Sequence, residues 1–247
     1  MKRVLLPLIL SIILAGCVAA PMTTADVRGL EAQAQWGDEV LMIPAPANFH
    51  EAAANYPEMK RVFERMIPPG RRLLAGMVSD EDYREVQKSG VVRTDLWMLM
   101  QAPKGAEKRP IAKANFQDVV KLVRKGDVAS PAKRVEESTQ VSRAISRDLG
   151  YQVKIRDVEL KVLETFLNQD DANGILQIGD CQVQMEGQIV KFQIIIGDIL
   201  IWVKDAIVSG QIAKLNPSRE DLEWVKAKSL EWADLILKAN GEKGLES

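Results

Sequence analysis

Few residues of this chain could do chemistry: two cysteines, Cys17 and Cys181, and a single histidine, His50. Cys17 closes a distinctive N-terminal stretch, in which the basic residues Lys2 and Arg3 precede an apolar run and then small residues. This order is typical of a secretory signal peptide. The apolar run is shorter than the about 20 residues that a permanent membrane-spanning helix needs. The thiol of Cys17 therefore lies where a cleaved chain would begin.

The stretch Leu14-Ala15-Gly16-Cys17 resembles the lipobox of bacterial lipoproteins. In that family the cysteine thiol is joined to diacylglycerol, the chain is cut before it, and the freed amine is usually acylated. The resemblance implies that residues 1–16 are a lipoprotein signal peptide and that Cys17 is the lipidation site. Two or three acyl chains would bind the bilayer firmly, whereas one chain binds only marginally. The alternatives are an uncleaved anchor or an ordinary signal peptide cut near Ala19-Ala20.

The residue after the cysteine bears on localisation. In Gram-negative lipoproteins an aspartate at this position favours retention in the inner membrane, and this chain has Val18 instead. The resemblance therefore implies a cell-envelope protein, lipid-anchored at the outer membrane and facing the periplasm. A Gram-positive source would remove that inference. Residues 17–38, with little apolar periodicity, are interpreted as the lipidated N-terminus and a tether.

The remaining thiol and the imidazole do not form a recognisable catalytic motif. If Cys17 is acylated, Cys181 cannot form an internal disulfide, and a lone cysteine is usually buried. A nucleophilic Cys181 would need a nearby base, but His50 is distant in sequence. One histidine and one thiol also leave too few ligands for a zinc site. The sequence thus predicts no catalytic residue, no cofactor and no metal site.

One polar loop has the spacing of a candidate calcium site. Residues 169–174 and Asp180 place Asp171, Asn173 and Gly174 at EF-hand-like spacings. The first ligand position is Gln169, the bidentate glutamate is absent, and the flanks are strand-like rather than helical. We favour a polar loop that joins two strands, with Asn173-Gly174 taking the turn.

Composition excludes a nucleic-acid partner. Without Lys2 and Arg3 the mature chain has 31 Lys and Arg against 34 acids, a formal charge of −3, which provides no basic field. With 47% hydrophobic residues, the chain can bury a sizeable core. No nucleophile-elbow, phosphate-loop or metal-helix motif occurs, which argues against an enzyme without excluding one.

From Glu39 onward the sequence predicts alternating strands and helices. We expect strands at 39–43, 72–78 and 95–101. Helices are predicted at 56–66, from a capping box at Ser79 to Val86, and after a cap at Asn115. A polar segment, 132–149, is interpreted as a surface helix or linker.

The second half is β-rich and ends in a helix. Strands are predicted at 153–166 and 174–185, with a turn at Glu186-Gly187. The isoleucine-rich run that follows is predicted to be a hairpin turning at Gly197-Asp198, and Asp198 together with flanking lysines argues against a membrane span. Ser218 begins a capping box for the last helix, which Asn240-Gly241 ends.

The element order predicts an α+β fold: a curved antiparallel sheet with helices packed on it and a long C-terminal helix. We place one globular domain at 39–240, with a possible subdivision near 130–150. This order resembles the PsbP-like fold, and the chain also resembles uncharacterised exported bacterial proteins.

The predicted function is a membrane-anchored envelope lipoprotein with a binding or structural role. Its expected partners are the lipid bilayer, through acylated Cys17, and an envelope protein or a small apolar ligand. The alternative is a periplasmic enzyme, such as a hydrolase acting on envelope material. Converging acids or a paired histidine in a pocket would favour the enzyme, and an exposed apolar patch would favour binding.

Overall fold

A seven-stranded antiparallel sheet is the centre of the structure. The computed structural model describes residues 32–89, 95–108, 110–124, 142, 153–242 and 244–245. The strands in this part of the chain are β1 (Ala32–Trp36), β2 (Glu39–Ile43), β3 (Phe49–Glu51), β4 (Arg71–Ser79), β5 (Leu96–Pro103), β6 (Val153–Asn168), β7 (Ala172–Met185), β8 (Gln188–Val203) and β9 (Ala206–Leu215). The helices are α1 (Pro57–Met66), α2 (Asp80–Ser89), α3 (Lys113–Arg124) and α4 (Arg219–Ala239), with a short 3₁₀ turn at Ala106–Lys108.

The large sheet has the order β3-β4-β5-β9-β8-β7-β6, and β1 pairs with β2 in a separate hairpin. Every strand pair is antiparallel. The α+β class, the antiparallel sheet and the long C-terminal helix predicted from the sequence are therefore confirmed. The main strands β2, β4, β5, β7 and α1, α2 and α4 lie within a few residues of their predicted positions.

The first face of the sheet is covered by α4 and the β1–β2 hairpin. Their buried side chains form one core cluster with alternate residues of the sheet strands, among them Met77, Met98 and Ile199. Burial of this apolar area is the main favourable term for folding, at about 25 cal/mol per Å². The second face carries α1 and α2 over β4 and β5, and α3 over β8 and β9.

Helix α4 has the ends that its sequence predicts. The Ser218 hydroxyl accepts the Asp221 amide at 3.3 Å, and the Asp221 carboxylate accepts the Ser218 amide at 2.7 Å. This reciprocal capping box uses aspartate where glutamate is usual. At the other end, Asn240 terminates the helix.

Asn240 also fastens the hairpin to α4. Its side-chain amide accepts the Met42 N–H at 3.0 Å and donates to the Met42 carbonyl at 2.8 Å. The amide thus satisfies both polar groups of one residue on β2, as a neighbouring strand would. Nearby, the Trp232 indole donates to the Pro44 carbonyl at 3.0 Å.

The predicted tether is wrong at its C-terminal end. Residues 32–36 form β1, and Ala32, Ala34 and Trp36 are buried in the core. Buried alanine or tryptophan alternates with exposed glutamine, which is the period of two expected of a strand. The low apolar content of this segment concealed the pattern in the sequence. The domain accordingly begins by Ala32 rather than at Glu39.

The predicted turn at Gly197-Asp198 is also wrong. Both residues lie inside β8, and the chain turns at Lys204-Asp205, where φ is 48° and 54°. Positive φ at both positions matches the tight hairpin turn whose twist suits antiparallel strands. Ile195 and Ile201 are fully shielded, as predicted.

Gly197 has a packing role instead of a turning role. A Cβ there would lie 2.4 Å from the Ser229 Oγ and 2.9 Å from the Val225 Cγ1 of α4. The missing side chain lets the helix approach the strand closely, which is a second reason for glycine inside a strand.

The structure also bears on two smaller predictions. Helix α3 begins at Lys113, so Asn115 lies inside it and is not its cap. The segment 132–149 lies outside the described residues except for Ser142, as does the lipobox. In the described part of the chain, no helix is both long and apolar enough to cross a membrane.

Candidate functional site

The face of the sheet opposite α4 carries an uncommon row of polar side chains. Gly197 faces α4, and side chains alternate along a strand, so Asp198 points to the second face. The pairing register places Gln211 of β9 and Ile175 of β7 beside it. Polar residues in the centre of a seven-stranded sheet are costly unless they are hydrogen-bonded.

Two glutamines hold the Asp198 carboxylate. The Gln177 amide donates to Asp198 Oδ2, and Gln211 bonds to the same carboxylate. Both glutamines are half-buried. Asp198 is half-buried as a residue, although its carboxyl is surrounded by protein atoms. This site is therefore a recessed carboxylate with two amide donors.

The environment of Asp198 favours its neutral form. Desolvation raises the pKa of Asp198 to about 6, against the opposing effects of the Gln211 bond, the Arg71 charge and the Gln177 bond. The carboxyl can therefore change charge in mildly acidic solution. Arg71, on the same face of β4, is the cation that acts on it.

A second polar group lies on the adjacent row. Gln101 of β5 is 2% exposed and pairs in register with Ser209 of β9. The Gln101 Oε1 atom has no hydrogen-bond partner within the described structure. A buried acceptor without a partner is rare and costs about 1–3 kcal/mol. The row thus contains a buried amide oxygen that none of the described residues satisfies.

Apolar side chains continue the same face toward β6. The register aligns Val162 with Gln177 and Ile196, and Leu160 with Gly179 and Ile194. Leu160 and Val162 are 43% and 57% exposed, which is unusual for such side chains. One face of β6–β9 therefore presents a polar row beside an apolar strip, and this combined surface is named the amphipathic face.

The histidine and the cysteine considered in the sequence lie far apart. His50 is on the edge strand β3, and Cys181 is on β7, five strands away in the sheet order. At about 4.8 Å per strand the separation is roughly 24 Å, so they form no catalytic pair. Cys181 is buried, as expected for a lone thiol.

His50 pairs with an aspartate rather than with a thiol. Its Nε2 lies 2.8 Å from Asp80 Oδ1, and its ring stacks on Tyr83 with centroids 4.6 Å apart. The nearby Ser79 hydroxyl donates to Asp82 at 3.0 Å and caps α2, so it is not directed at the imidazole. The sequence showed the capping box but not this histidine–aspartate pair.

The residues of the candidate calcium loop have other roles in the structure. Asp171 pairs with Lys113 at 3.1 Å, and the Asn173 amide donates to the Leu167 carbonyl at 2.9 Å. Asn173-Gly174 lies in β7, so our placement of the turn there is wrong: the turn spans residues 169–171. Asp180 lies farther along β7, where Gln193 donates to it. Among the described residues, no cluster of three or more His, Cys, Asp or Glu side chains could hold a metal ion.

The polar row was missed because its members are remote in sequence. The sequence places Asp198 in a predicted turn and treats its charge as an argument against a membrane span, without indicating a site. Its partners come from strands β7 and β9, and the sequence signal was the pair of glutamines on otherwise apolar strands. Only the strand register brings these residues together.

Substituting Asp198 by asparagine should change the pH dependence of stability. The folded-state pKa is raised, so the wild-type protein loses stability as pH rises from about 4 through 6, while the variant does not. We expect the stability difference to move in favour of the variant by about 2–3 kcal/mol between pH 4 and pH 7. Urea denaturation at several pH values measures it. Asp118→Asn, at a side chain that is 74% exposed, is the control; parallel profiles for Asp198→Asn and wild type would contradict the expectation.

Comparison with known proteins gives only distant structural likeness. No protein-family model matches the chain, and no curated protein matches its sequence. The crystal structure of the Saccharomyces cerevisiae Ran-binding protein Mog1p is similar with a TM-score of 0.31 and 11% identity, over 81% of this chain and 86% of that chain. A mutant of Mog1 gives a TM-score of 0.33 and 11% identity, over 87% and 93% of the two chains. Similarity at this level carries no functional conclusion.

Proposed function

We propose that this protein is a lipid-anchored binding protein of the cell envelope, most simply at the outer membrane. Acylated Cys17 holds it at the bilayer, and the amphipathic face binds a small amphiphilic ligand. The observation that carries the binding role is the juxtaposition of the Asp198 row with the exposed side chains of Leu160 and Val162.

The anchor is supported by the motif and by the position of the domain. The lipobox at residues 14–17 has the residue types that lipidation requires, and β1 begins at Ala32. The chain between Cys17 and Ala32 can span at most about 50 Å when fully extended. The domain would therefore stay close to the lipid surface, where amphiphilic molecules are concentrated.

The ligand class follows from the chemistry of the face. An apolar chain fits the strip formed by Leu160, Val162 and the half-buried Ile194 and Ile196. The Asp198 carboxylate is an acceptor, so the head group should donate hydrogen bonds, as an ammonium or hydroxyl group does. This chemistry refines the small apolar ligand expected from the sequence.

The hydrolase alternative has no comparable support. The histidine arrangement that would favour it is not seen at His50, whose imidazole contacts Asp80 and Tyr83. We therefore retain the binding role.

Lipidation is tested by Cys17→Ser. The variant should incorporate no radioactive fatty acid and should retain its signal peptide, whereas the wild-type protein should be labelled and shortened. Cys181→Ser is the matched control, because it removes the other thiol and should be labelled like the wild type. Equal labelling of Cys17→Ser and wild type would refute the anchor without bearing on the ligand.

Ligand binding is tested with the fluorescent apolar amine N-phenyl-1-naphthylamine. We expect its fluorescence to rise on binding and the double variant Leu160→Glu/Val162→Glu to weaken binding at least tenfold. Ile189→Glu is the control, because Ile189 is 51% exposed and lies on the other face of β8. Dodecylamine should displace the probe better than dodecanoate, and Asp198→Asn should reduce that preference. No binding, or equal loss in the control, would refute the proposal.

A further inference from the structure

Strand β6 is the last strand of the seven-stranded sheet and is long for an edge strand. It has 16 residues, and among the described strands it pairs only with β7. Along the free side of an edge strand, backbone N–H and C=O groups point outward, where a further strand can pair with them. Proteins usually keep such edges short or interrupt them, so the uninterrupted part of β6 is a candidate pairing surface.

Bulges divide β6 and leave one regular stretch. In the register with β7, the residues Arg156, Leu163 and Phe166 are skipped. Residues 157–162 pair with β7 without interruption. A bulge bends the strand and disrupts the ladder where it occurs. The regular stretch 157–162 is therefore the part of the edge that could accept another strand.

Exposed apolar side chains are concentrated at this stretch. The described structure has six exposed large apolar side chains, and three of them, Leu160, Val162 and Leu163, belong to β6. Lys161 lies between the first two and is exposed as well. Contiguous exposed apolar side chains rimmed by charge are typical of a surface that binds another protein.

We propose that β6 is a self-association edge: two copies of this chain pair antiparallel through residues 158–162, about a two-fold axis at Leu160.

The sequence of the stretch is complementary to itself about this axis. With Leu160 opposite Leu160 of the second copy, the register places Glu159 opposite Lys161 and Val158 opposite Val162. Opposite charges directly across an antiparallel pair stabilise it, and like charges destabilise it. A two-fold interface makes each of these contacts twice. The charges and the apolar residues are thus both matched in one register.

Neighbouring registers lose this match. An axis at Glu159 would place two glutamates opposite each other, and an axis at Lys161 would place two lysines opposite each other. An axis between two residues would bring together positions that belong to opposite faces of the sheet, because side chains alternate along each strand. Among these adjacent choices, only the axis at Leu160 avoids both faults.

A second copy fits this edge better than an unrelated strand does. The match requires the order Glu-Leu-Lys read in the opposite direction, which an identical antiparallel strand supplies. Strand pairing extends a sheet in its own plane, so the amphipathic face of each copy would stay open and continue into that of the other. The inference depends neither on the proposed ligand nor on the lipid anchor.

Disulfide crosslinking of the full-length protein tests the position of the axis. Opposing Cα atoms of an antiparallel pair are about 4.5–5.5 Å apart, a distance that a disulfide can span. With diamide as the oxidant, we expect Leu160→Cys to form a covalent dimer on a non-reducing gel. Leu163→Cys is the matched control, because residue 163 would lie opposite residue 157 and the two thiols would be about 20 Å apart. The wild-type protein gives the background from Cys17 and buried Cys181.

Charge exchange tests the pairing of Glu159 with Lys161. Glu159→Lys and Lys161→Glu each place like charges across the interface twice, so each variant alone should dimerise more weakly by roughly tenfold or more. An equal mixture of the two variants should regain the wild-type affinity, because every cross-strand pair is then of opposite charge. The double variant Glu159→Lys/Lys161→Glu should regain it without mixing. Sedimentation equilibrium of the full-length proteins in a density-matched detergent measures all four affinities.

Several results would overturn the inference. These are a Leu160→Cys variant that gives no more dimer than the wild type, a Leu163→Cys variant that crosslinks as efficiently, and charge variants whose mixture regains no affinity. A monomeric protein whose β6 amides are strongly protected from hydrogen exchange would also overturn it, because another segment of the same chain would then cover the edge.

Discussion

Replacing Trp232 by alanine should lower the free energy of unfolding by about 3–5 kcal/mol, the usual range for removing a buried tryptophan. Trp232 is fully buried between α4 and the first face of the sheet. Its removal would leave a large cavity, because helix, sheet and hairpin all contribute to the surrounding core. It would also leave the Pro44 carbonyl without its indole donor. Urea denaturation, with the unchanged slope as a test of two-state unfolding, gives the difference.

Two substitutions separate the contributions at this site. Trp232→Phe keeps much of the ring volume and loses the hydrogen bond, so it should cost less than the alanine variant. Trp224→Ala is the control, because Trp224 lies on the same helix, is only half-buried and contacts Phe49 at the cluster's margin. If Trp224→Ala costs as much as Trp232→Ala, the core position of Trp232 does not determine its contribution.

Gly76→Ala should destabilise the protein by about 3 kcal/mol through overpacking, the upper part of the usual range. A Cβ at Gly76 would lie 2.2 Å from Phe63 Cδ2 and 2.7 Å from Cε2, well inside contact distance. Phe63 is fully buried between α1 and the sheet, so its rigid ring cannot move away without shifting its neighbours. Chemical denaturation measures this loss.

A double-mutant cycle identifies the clash as the cause. Gly76→Ala should cost markedly less in a Phe63→Leu background, because the smaller side chain makes room for the methyl group. Gly70→Ala, at a glycine with nothing within 4 Å of a new Cβ, should be nearly neutral. An unchanged cost in the Phe63→Leu background would instead assign the loss to the backbone of β4.

The elements best predicted from the sequence are those defined by local signals. Helix α4 has its cap, its apolar stripe and its stop within one continuous segment, and the structure follows them closely. The Glu186-Gly187 turn is equally local, with positive φ at both residues. Fold class followed from the order of such elements, because apolar faces must be buried against one another.

The errors arose where tertiary packing determines the role of a residue. The sequence predicts a turn at Gly197, but in the structure this glycine makes room for Ser229. The sequence predicts a tether at residues 32–36, but these residues form β1. Ala32, Ala34 and Trp36 pack in the core, where small alanine side chains fit. A chain starting at Glu39, where the sequence places the beginning of the domain, would lack β1.

The candidate site could not be predicted from the sequence, because it depends on the order of the strands in the sheet. Asp198 contacts Gln211 and Gln177 because β8 lies between β9 and β7 in the sheet. On its other side, β9 pairs with β5. Likewise, His50 meets Asp80 through the pairing of β3 with the end of β4. Residue types indicated which groups could be charged, and the register determined their partners.

The bonds between the hairpin and α4 impose an order on how the chain can become native. The Met42–Asn240 contact spans 198 positions and the Pro44–Trp232 contact spans 188, so neither can form before α4 has been synthesised. Polypeptides are made from the N-terminus, and a segment can use only partners that already exist. The hairpin is thus among the first parts of the domain to be synthesised and among the last to be docked. A chain that lacks α4 leaves these partners of Met42 and Pro44 unmade, so the hairpin cannot dock until α4 is present.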